Sequence, residues 1–462
     1  MKKITFLLSF IAIILFNHSI FSQSSFTGGT VGDGNGSAWN YNSIAEHPVS
    51  GDLYAMWRDG SGTAAVYKLL RWTGTAWTVV GSFNMTDVFN ATTFDNASDD
   101  VSLTIGSTGT FHVAFRGLDN RGGCCNQPRG IGYAYSSNGT SWSIEKVISY
   151  IPTSTYSPGV DDPIIRVTNS GVVHIGAQFK NSSNPSSYAG QSYNRLYSIA
   201  HYKRTAANNW ETSFPYFQGR QLGTTGASQE INDISMALDT NGNPHFAWEA
   251  EADGSGRDGN LMYTYYSGTG SQTANATNGR DAGWAAATTI LTGAEYEGEG
   301  RNNDIEIDPT DNSVHIISYD GGSTSIKYSK KTTGSFSTVV VNGTTGGYQQ
   351  QNFFNITPNG NKYLFFVDAA GGYRTASLTT GTTWAISSGS FTPTAGGSFP
   401  SSLVSSSGTS MVMYNGPNVS SGDRQLFYAT GAVVSNTAPT VTTTTQALIT
   451  TASADLGGNV TS

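Results

Sequence analysis

The residues best suited to chemistry are charged and aromatic side chains that occur in long, glycine-rich segments of the chain. Glycoside hydrolysis needs a pair of carboxylates, and four could supply it: Asp59, Glu249, Glu251 and Glu297. Arginines could hold an acidic or hydroxylated ligand by paired hydrogen bonds, and tyrosines could stack on a sugar ring. The ligand-binding candidates are Arg58, Arg116, Asp119, Arg121, Tyr188, Tyr193, Tyr296 and Arg301. The alternative is that each charged group is simply a solvated loop charge.

Two other sets of polar residues recur at a fixed place in successive strand-like segments. The first set is Asp100, Asp162, Asp233 and Asp304, and the second is His112, His174, His245 and His315. A ring of carboxylates could bind Ca²⁺, but aspartates could equally accept backbone N–H bonds in loops. Repetition in unit after unit favours the structural role. A catalytic base is needed once rather than four times, so we interpret the histidines as packing residues.

A repeated unit positions all of these residues. Its clearest copies are DDVSLTIGSTGTFHVAF (99–115), DDPIIRVTNSGVVHIGAQF (161–179), NDISMALDTNGNPHFAW (232–248) and NDIEIDPTDNSVHIISY (303–319). Weaker copies lie at 43–57, 351–366 and 400–414. Each copy reads as a strand, a tight glycine or asparagine turn, and a second strand that ends in an aromatic residue, which is the pattern of a β-hairpin.

Most copies continue into a third strand rich in tyrosine, and several into a fourth that carries tryptophan or phenylalanine, such as NGTSWSIE (138–145). Seven four-stranded units predict an all-β, seven-bladed β-propeller of antiparallel blades over residues 23–434. A series of β-sandwiches is the alternative, but separate sandwiches would not repeat one four-strand unit so often.

The two ends of the repeat region carry further expectations. The seventh unit has only three clear strands, and the segment Ser24–Val31 belongs to no other unit, so we predict that it completes the last blade. Residues 435–439 read as a linker. Residues 440–462 are threonine-rich and resemble the first strands of Ig-like or fibronectin-like domains of Bacteroidetes surface proteins, which predicts the start of a truncated β domain.

The propeller geometry assigns the candidate residues to one face. In each blade the loop before the first strand and the loop after the second strand lie on the same side of the ring. Those loops are the long ones, for example 116–129, 249–259 and 292–303, whereas the turns on the opposite side are short. Long loops on a rigid scaffold commonly carry function. We therefore expect the ligand on this side, which we call the loop face.

The two cysteines of the chain, Cys124 and Cys125, are neighbours in one of these long loops. Secretion implies an oxidising compartment. We predict a strained vicinal disulfide; an intermolecular bridge or two free thiols are the alternatives.

The N-terminus predicts export. Residues 1–22 combine two lysines, an apolar run over 4–16 and a polar end, which is the layout of a secretory signal peptide. No other stretch is apolar and long enough to cross a bilayer, so we expect a secreted or cell-surface protein with no membrane span after signal cleavage. The net charge of −8 argues against nucleic acid as a partner.

The turns that precede the tryptophans resemble the Asp-box, or BNR, repeat of secreted sialidase-like propellers, whose pattern is roughly S-x-D-x-G-x-T-W. Residues 136–142 (SSNGTSW) come closest, with asparagine in place of the aspartate, and 379–384 and 72–77 are poorer copies. In that class the box is a structural turn far from the active site. Sialidases also carry an F-R-I-P motif, of which this chain has only the fragment Phe115-Arg116-Gly117.

These observations predict a secreted or cell-surface propeller that binds extracellular glycan or polysaccharide through its loop face, with no cofactor other than a possible Ca²⁺. A polysaccharide-degrading enzyme on the same face, such as a sialidase-like hydrolase or a lyase, is the second hypothesis. A structural adhesion protein is the third. Two carboxylates about 5 Å or 6.5–9.5 Å apart in a cleft would favour hydrolysis, whereas dispersed charges would favour binding.

Overall fold

The structure is a computed structural model in which a part of the chain is described. The described residues are 26–31, 42–59, 66–84, 101–118, 129–149, 159–181, 186–188, 191–221, 231–251, 258–274, 278–296, 303–320, 325–341, 353–368, 372–387, 391, 398–417, 424–432, 440–443 and 458–461. These residues form strands, turns and bends. None of them belongs to a helix that could span a bilayer.

Seven antiparallel sheets form the blades of a β-propeller, which confirms the predicted fold class. Blades 1 and 2 consist of β2 (Asn42–Glu46), β3 (Leu53–Asp59), β4 (Val66–Trp72) and β5 (Trp77–Asn84), then β6 (Val101–Ile105), β7 (Phe111–Leu118), β8 (Arg129–Ser136) and β9 (Ser143–Ser149). Blades 5 and 6 consist of β21 (Asn303–Ile307), β22 (Val314–Asp320), β23 (Ser325–Lys331) and β24 (Ser337–Val340), then β25 (Phe353–Ile356), β26 (Lys362–Val367), β27 (Tyr373–Thr380) and β28 (Thr383–Ile386).

Blades 3 and 4 carry additional strands. Blade 3 consists of β10 (Gly159–Val167), β11 (Val173–Asn181), β13 (Gln191–Ala206) and β14 (Asn209–Gln221), and blade 4 of β15 (Ile231–Leu238), β16 (Pro244–Glu251), β17 (Asp258–Tyr265) and β20 (Thr288–Tyr296). On the loop face, the short strand β12 (Ser186–Tyr188) pairs with the start of β13. Between the last two strands of blade 4, β18 (Thr273–Ala274) and β19 (Asn278–Arg280) cross to blade 3, where β19 pairs with β14.

The seventh blade closes the ring with a strand from the N-terminal side of the chain. It consists of β29 (Ser398–Val404), β30 (Thr409–Pro417), β31 (Arg424–Ala432) and β1 (Thr27–Thr30). Strand β1 pairs antiparallel with β31, from Thr27 opposite Thr430 to Thr30 opposite Phe427. The predicted closure is therefore confirmed. Beyond the blades, β32 (Thr440–Thr443) and β33 (Gly458–Thr461) pair with each other, and the Ig-like domain stays a prediction.

The apolar core is divided among the interfaces between blades. Seven clusters of buried hydrophobic residues are present among the described residues, and each joins two neighbouring blades. Between blades 1 and 2, for example, Met56 and Tyr67 pack with Val113 and Phe115. The alternation of apolar residues along each strand gives every sheet two buried faces, because each face is covered by the next blade.

Polar groups of the inner strands also cross every one of the seven interfaces. In the simplest case, the hydroxyl of Ser43 in blade 1 accepts the backbone N–H of Leu103 in blade 2, with 2.9 Å between Oγ and N. The equivalent links join Ser102 to Ile165, Gln178 to Asn232, Ser235 to Asn303, Asp304 to Phe354, Asn355 to Val404, and Ser401 to Asn42. The ring of links is closed, since the last member returns to blade 1.

The repeated histidines lie in these interfaces, as expected for packing residues. In blade 2, Nδ1 of His112 lies 2.7 Å from the hydroxyl of Tyr133, whose ring packs edge-on against Trp210 of blade 3. Two further blades repeat the arrangement with His245, Tyr263 and Phe336, and with His315, Tyr328 and Trp384. In blade 3 a second histidine replaces the tyrosine, in the series His174, His201 and Trp284.

The box-like turn of blade 2 forms the hydrogen bonds that its sequence suggests. The side-chain oxygen of Asn138 accepts the backbone N–H groups of Thr140 and Ser141, each at 2.9 Å. The indole N–H of Trp142 donates to the carbonyl of Gly139, which has a positive φ of 74°. A Cβ on Gly81 of blade 1 would lie 2.2 Å from that carbonyl oxygen, so the turn packs directly on the neighbouring blade. Its role is structural.

Deleting residues 24–31 tests the closure of the ring. The deletion leaves the edge of β31 unpaired, so we expect the melting temperature to fall by several degrees or the protein to aggregate. Truncation after residue 434 is the control, because it removes no strand of a blade and should leave the melting temperature unchanged. An unaltered melting profile for the N-terminal deletion would refute the closing role of β1.

The buried histidines make stability depend on pH. Burial, helped by nearby cations, lowers the pKa of His112 and His174 to about 4 and that of His315 to about 3. An unfolded histidine has a pKa near 6.5. Below that pH the unfolded chain takes up protons that the folded chain does not, so stability is full above pH 6.5 and is lost progressively towards pH 4.

We therefore expect His315→Asn to lower the melting temperature at pH 7.5 yet to reduce its further fall between pH 7.5 and 4.5. All other titrating groups are shared, so thermal melts of the two proteins isolate this one side chain. An equal fall in both proteins would contradict the burial of a neutral His315. Because His315 lies away from the loop face, ligand binding should survive the substitution.

Candidate functional site

Buried charges lie at the loop-face ends of the second strands. Arg58, Arg116 and Glu249 each directly follow the aromatic residue that ends the apolar run of β3, β7 and β16. Their exposed fractions are only 2%, 5% and 1%. Burying a charge is costly unless the protein compensates it, so the fold invests stability in keeping three charges at this one register.

The two arginines belong to a network that joins the first three blades. The hydroxyl of Tyr67 in blade 1 donates to the carbonyl of Arg116 in blade 2, with 3.4 Å between the oxygens. The guanidinium of Arg116 in turn lies 2.8 Å from the carboxylate of Asp161 in blade 3. Burial lowers the pKa of Arg58, but a guanidinium stays charged at any physiological pH. Two fixed positive groups therefore face the loop side of blades 1 and 2.

The third charge is held against the next strand of its own blade. A Cβ on Gly259 of β17 would lie 2.3 Å from Oε1 of Glu249. The carboxylate therefore occupies the space that a side chain at position 259 would need. Glu251, two residues further, has its backbone in the same strand, and Tyr296 is paired with Asp258 at the loop-face end of blade 4.

Other charges at this end of the blades are engaged in cross-strand pairs. Lys327 and Asp320 of blade 5 approach to 3.1 Å, and Arg374 and Asp368 of blade 6 approach to 2.7 Å. Asp59, a candidate acid or base, forms the same kind of pair with Lys68 of the neighbouring strand. This pairing accounts for Asp59 structurally, since each such pair ties the second strand of a blade to the third.

The recurring aspartates occupy the starts of the inner strands. Asp304 accepts the backbone N–H of Phe354 from the next blade at 3.0 Å. Asp162 and Asp233 have left-handed backbones, with φ of 50° and 47°, at irregular positions of β10 and β15. A Ca²⁺ ring formed by these residues stays a prediction.

One cluster among the described residues has the composition of a metal site but is fully engaged in hydrogen bonds. Asp308, Asp311 and His315 offer ligand atoms that lie within 4.8 Å of one another. The two ring nitrogens of His315 bind Ser313 and Tyr328 at 2.6 Å each. A metal would have to displace one of them, so the cluster fits a tightly bonded turn better than a cation site.

Several predicted site residues cannot be placed. Asp100, Asp119, Arg121, Cys124, Cys125, Glu297 and Arg301 lie outside the described residues. For Tyr188 and Tyr193 the structure gives the backbone, which runs in β12 and β13 on the loop-face side of blade 3. Sequence reasoning missed Asp161 as the partner of Arg116, because the β-bulge between Asp161 and Ile164 that distinguishes it from its neighbour leaves no mark in the sequence.

No protein-family model and no curated protein sequence matches this chain. Among solved structures, an α-L-arabinanase from Penicillium chrysogenum is 11% identical, with 89% of this chain and 99% of that chain covered and a TM-score of 0.47. The Aleuria aurantia lectin is 12% identical over 77% and 97%, with a TM-score of 0.40. An intramolecular trans-sialidase from Ruminococcus gnavus is 14% identical over 72% and 94%, with a TM-score of 0.42. At TM-scores below 0.5, these likenesses assign neither a family nor a ligand to this chain.

Proposed function

We propose that the protein is a secreted or cell-surface β-propeller of the broad BNR-like class that binds extracellular carbohydrate through its loop face. The observation that carries the proposal is the set of buried charges at one register of that face: Arg58, Arg116 and Glu249. A sugar presents hydroxyl groups that both accept and donate hydrogen bonds. Fixed guanidinium donors beside a fixed carboxylate acceptor match that chemistry.

Binding is favoured over hydrolysis by how the candidate carboxylates are used. Hydrolysis requires two carboxyl groups that are available at a defined separation. Of the candidates whose side chains are described, Asp59 is paired with Lys68, and Glu249 is packed against the backbone of β17. The charges of the loop face are also spread over several blades. Such dispersed groups suit recognition of an extended glycan chain.

A glycan array probed with the purified full chain tests the proposal. Replacing Arg58 by methionine keeps the length of the side chain and removes its charge, so we expect binding of the recognised glycan to weaken at least tenfold. Arg71→Met is the matched control, since Arg71 lies on a strand of the same blade and pairs with Asp52 at the opposite face. It should leave binding unchanged. Circular dichroism would show that both variants fold.

Two outcomes would overturn the proposal. One is a folded Arg58→Met protein that binds as tightly as the unmodified chain, and the other is a wild-type protein that binds no glycan. A parallel assay for reducing ends separates binding from catalysis. Release of reducing ends that Glu249→Gln abolishes would establish the hydrolase hypothesis instead.

A further inference from the structure

The inner strands of the blades enclose a central cavity of about 620 Å³. It extends from the beginnings of these strands, at Asn303 and Ser401, to the short turns of blades 1, 6 and 7, at Val49, Pro358 and Ser406. Arg58, Arg116 and Glu249 do not line it. The cavity is thus a separate space from the loop-face site, and it reaches the opposite face of the ring.

Two opposite charges meet inside this cavity from blades that are not neighbours. Arg166 of blade 3 and Glu306 of blade 5 hold the same position in the repeat, because each pairs with the histidine of its own blade, His174 and His315. Blade 4, which lies between them, has Ala237 at that position, opposite His245. The single methyl group of this alanine places no long side chain between the two charges.

The two groups are close but do not bond directly. Nη2 of Arg166 and Oε1 of Glu306 are 3.8 Å apart, whereas a charge-assisted hydrogen bond is about 2.7–2.9 Å long. The guanidinium is anchored through its other nitrogen, Nη1, which donates to the carbonyl of Ile165 at 3.0 Å. In the part of the chain that the structure describes, no donor lies within hydrogen-bond distance of the Glu306 carboxylate. A fixed donor and a fixed acceptor therefore face a common point.

A hydroxyl group is the chemical group that fits this point. Its oxygen can accept from Arg166 while its hydrogen is donated to Glu306, and an oxygen about 2.8 Å from both atoms is compatible with their 3.8 Å separation. Thr104 and Asn355 also line the cavity and offer further polar groups, and Met236 and Phe354 offer apolar surface. Polar groups with a few apolar side chains are the usual lining of a small-molecule site.

We propose that the central cavity is a second binding site, for a small neutral polyol or a single neutral sugar unit, one hydroxyl of which bridges Arg166 and Glu306. The site takes the ligand class of the proposed function but shares none of its residues, so either can hold without the other. An anionic sugar fits less well, because Asp304 and Glu306 both line the cavity and Arg166 is the one cation among the residues that line it.

The electrostatics of the cavity give the site a pH dependence. Burial raises the pKa of Glu306 to about 8, with Asp304 acting in the same direction and Arg166 against it. Glu46, the remaining carboxylate of the lining, lies at the lower end and accepts hydrogen bonds from Ser406. A hydroxyl donates only to the ionised Glu306 carboxylate, so ligand binding competes with its proton. Affinity should therefore rise as the pH increases towards 8.

The test is a titration of the purified full chain with neutral monosaccharides and polyols, namely D-galactose, D-glucose, L-fucose and myo-inositol, followed by calorimetry or ligand-observed NMR. We expect at least one to bind, and its affinity to increase about tenfold between pH 7 and pH 9. Glu306→Gln and Arg166→Met should each weaken binding at least tenfold, and Glu306→Gln should also remove the pH dependence. Glu46→Gln is the control within the cavity and should change neither.

The variant Arg58→Met separates this site from the loop face. It should abolish glycan-array binding and leave monosaccharide binding in the cavity intact. Monosaccharide binding that Arg58→Met removes and Glu306→Gln spares would overturn the proposal, as would the failure of every probe to bind the folded wild-type chain. If Arg166→Met does not fold, the isosteric Glu306→Gln and its pH profile decide the question.

Discussion

The contact between neighbouring blades is the interaction on which this molecule depends. Each sheet has two apolar faces, and each buries them only against the next blade, so no cluster of the core belongs to one blade alone. The interface repeats a small set of contacts, in which a histidine bonds a tyrosine and the tyrosine packs on an aromatic ring of the following blade. Because every blade needs two neighbours, the chain is stable only as a closed ring.

That constraint also explains where charge is tolerated. Within the interfaces the titratable groups are kept neutral by burial, as the lowered pKa of His112 and His174 shows. Charges are retained at the loop-face ends of the second strands and in the central cavity, where backbone packing gives way to space for a ligand. Arg58 and Glu306 differ in this respect from the repeated histidines, since they do not recur in the other blades.

The local pattern of the chain was sufficient for the fold, because each hairpin is written in a short window of alternating residues. Ser24–Val31 could be recognised as the missing strand since it alone was strand-like without belonging to a unit. The loop-face positions of Arg58 and Arg116 followed from strand direction, but their burial did not, because it depends on how neighbouring blades pack. The pairing of Arg166 with Glu306 could not be read at all. It joins residues on non-adjacent blades, so it depends on the curvature of the whole ring.

The central claim is that the loop face of a closed propeller holds the carbohydrate. Hydrogen–deuterium exchange of the full chain, measured by mass spectrometry with and without the glycan identified on the array, tests it most directly because it reports on every loop at once. The account predicts slower exchange in 116–129 and 249–259 and at the ends of β3, β7 and β16. Protection confined to the outer strands or to the short turns of the opposite face would contradict it.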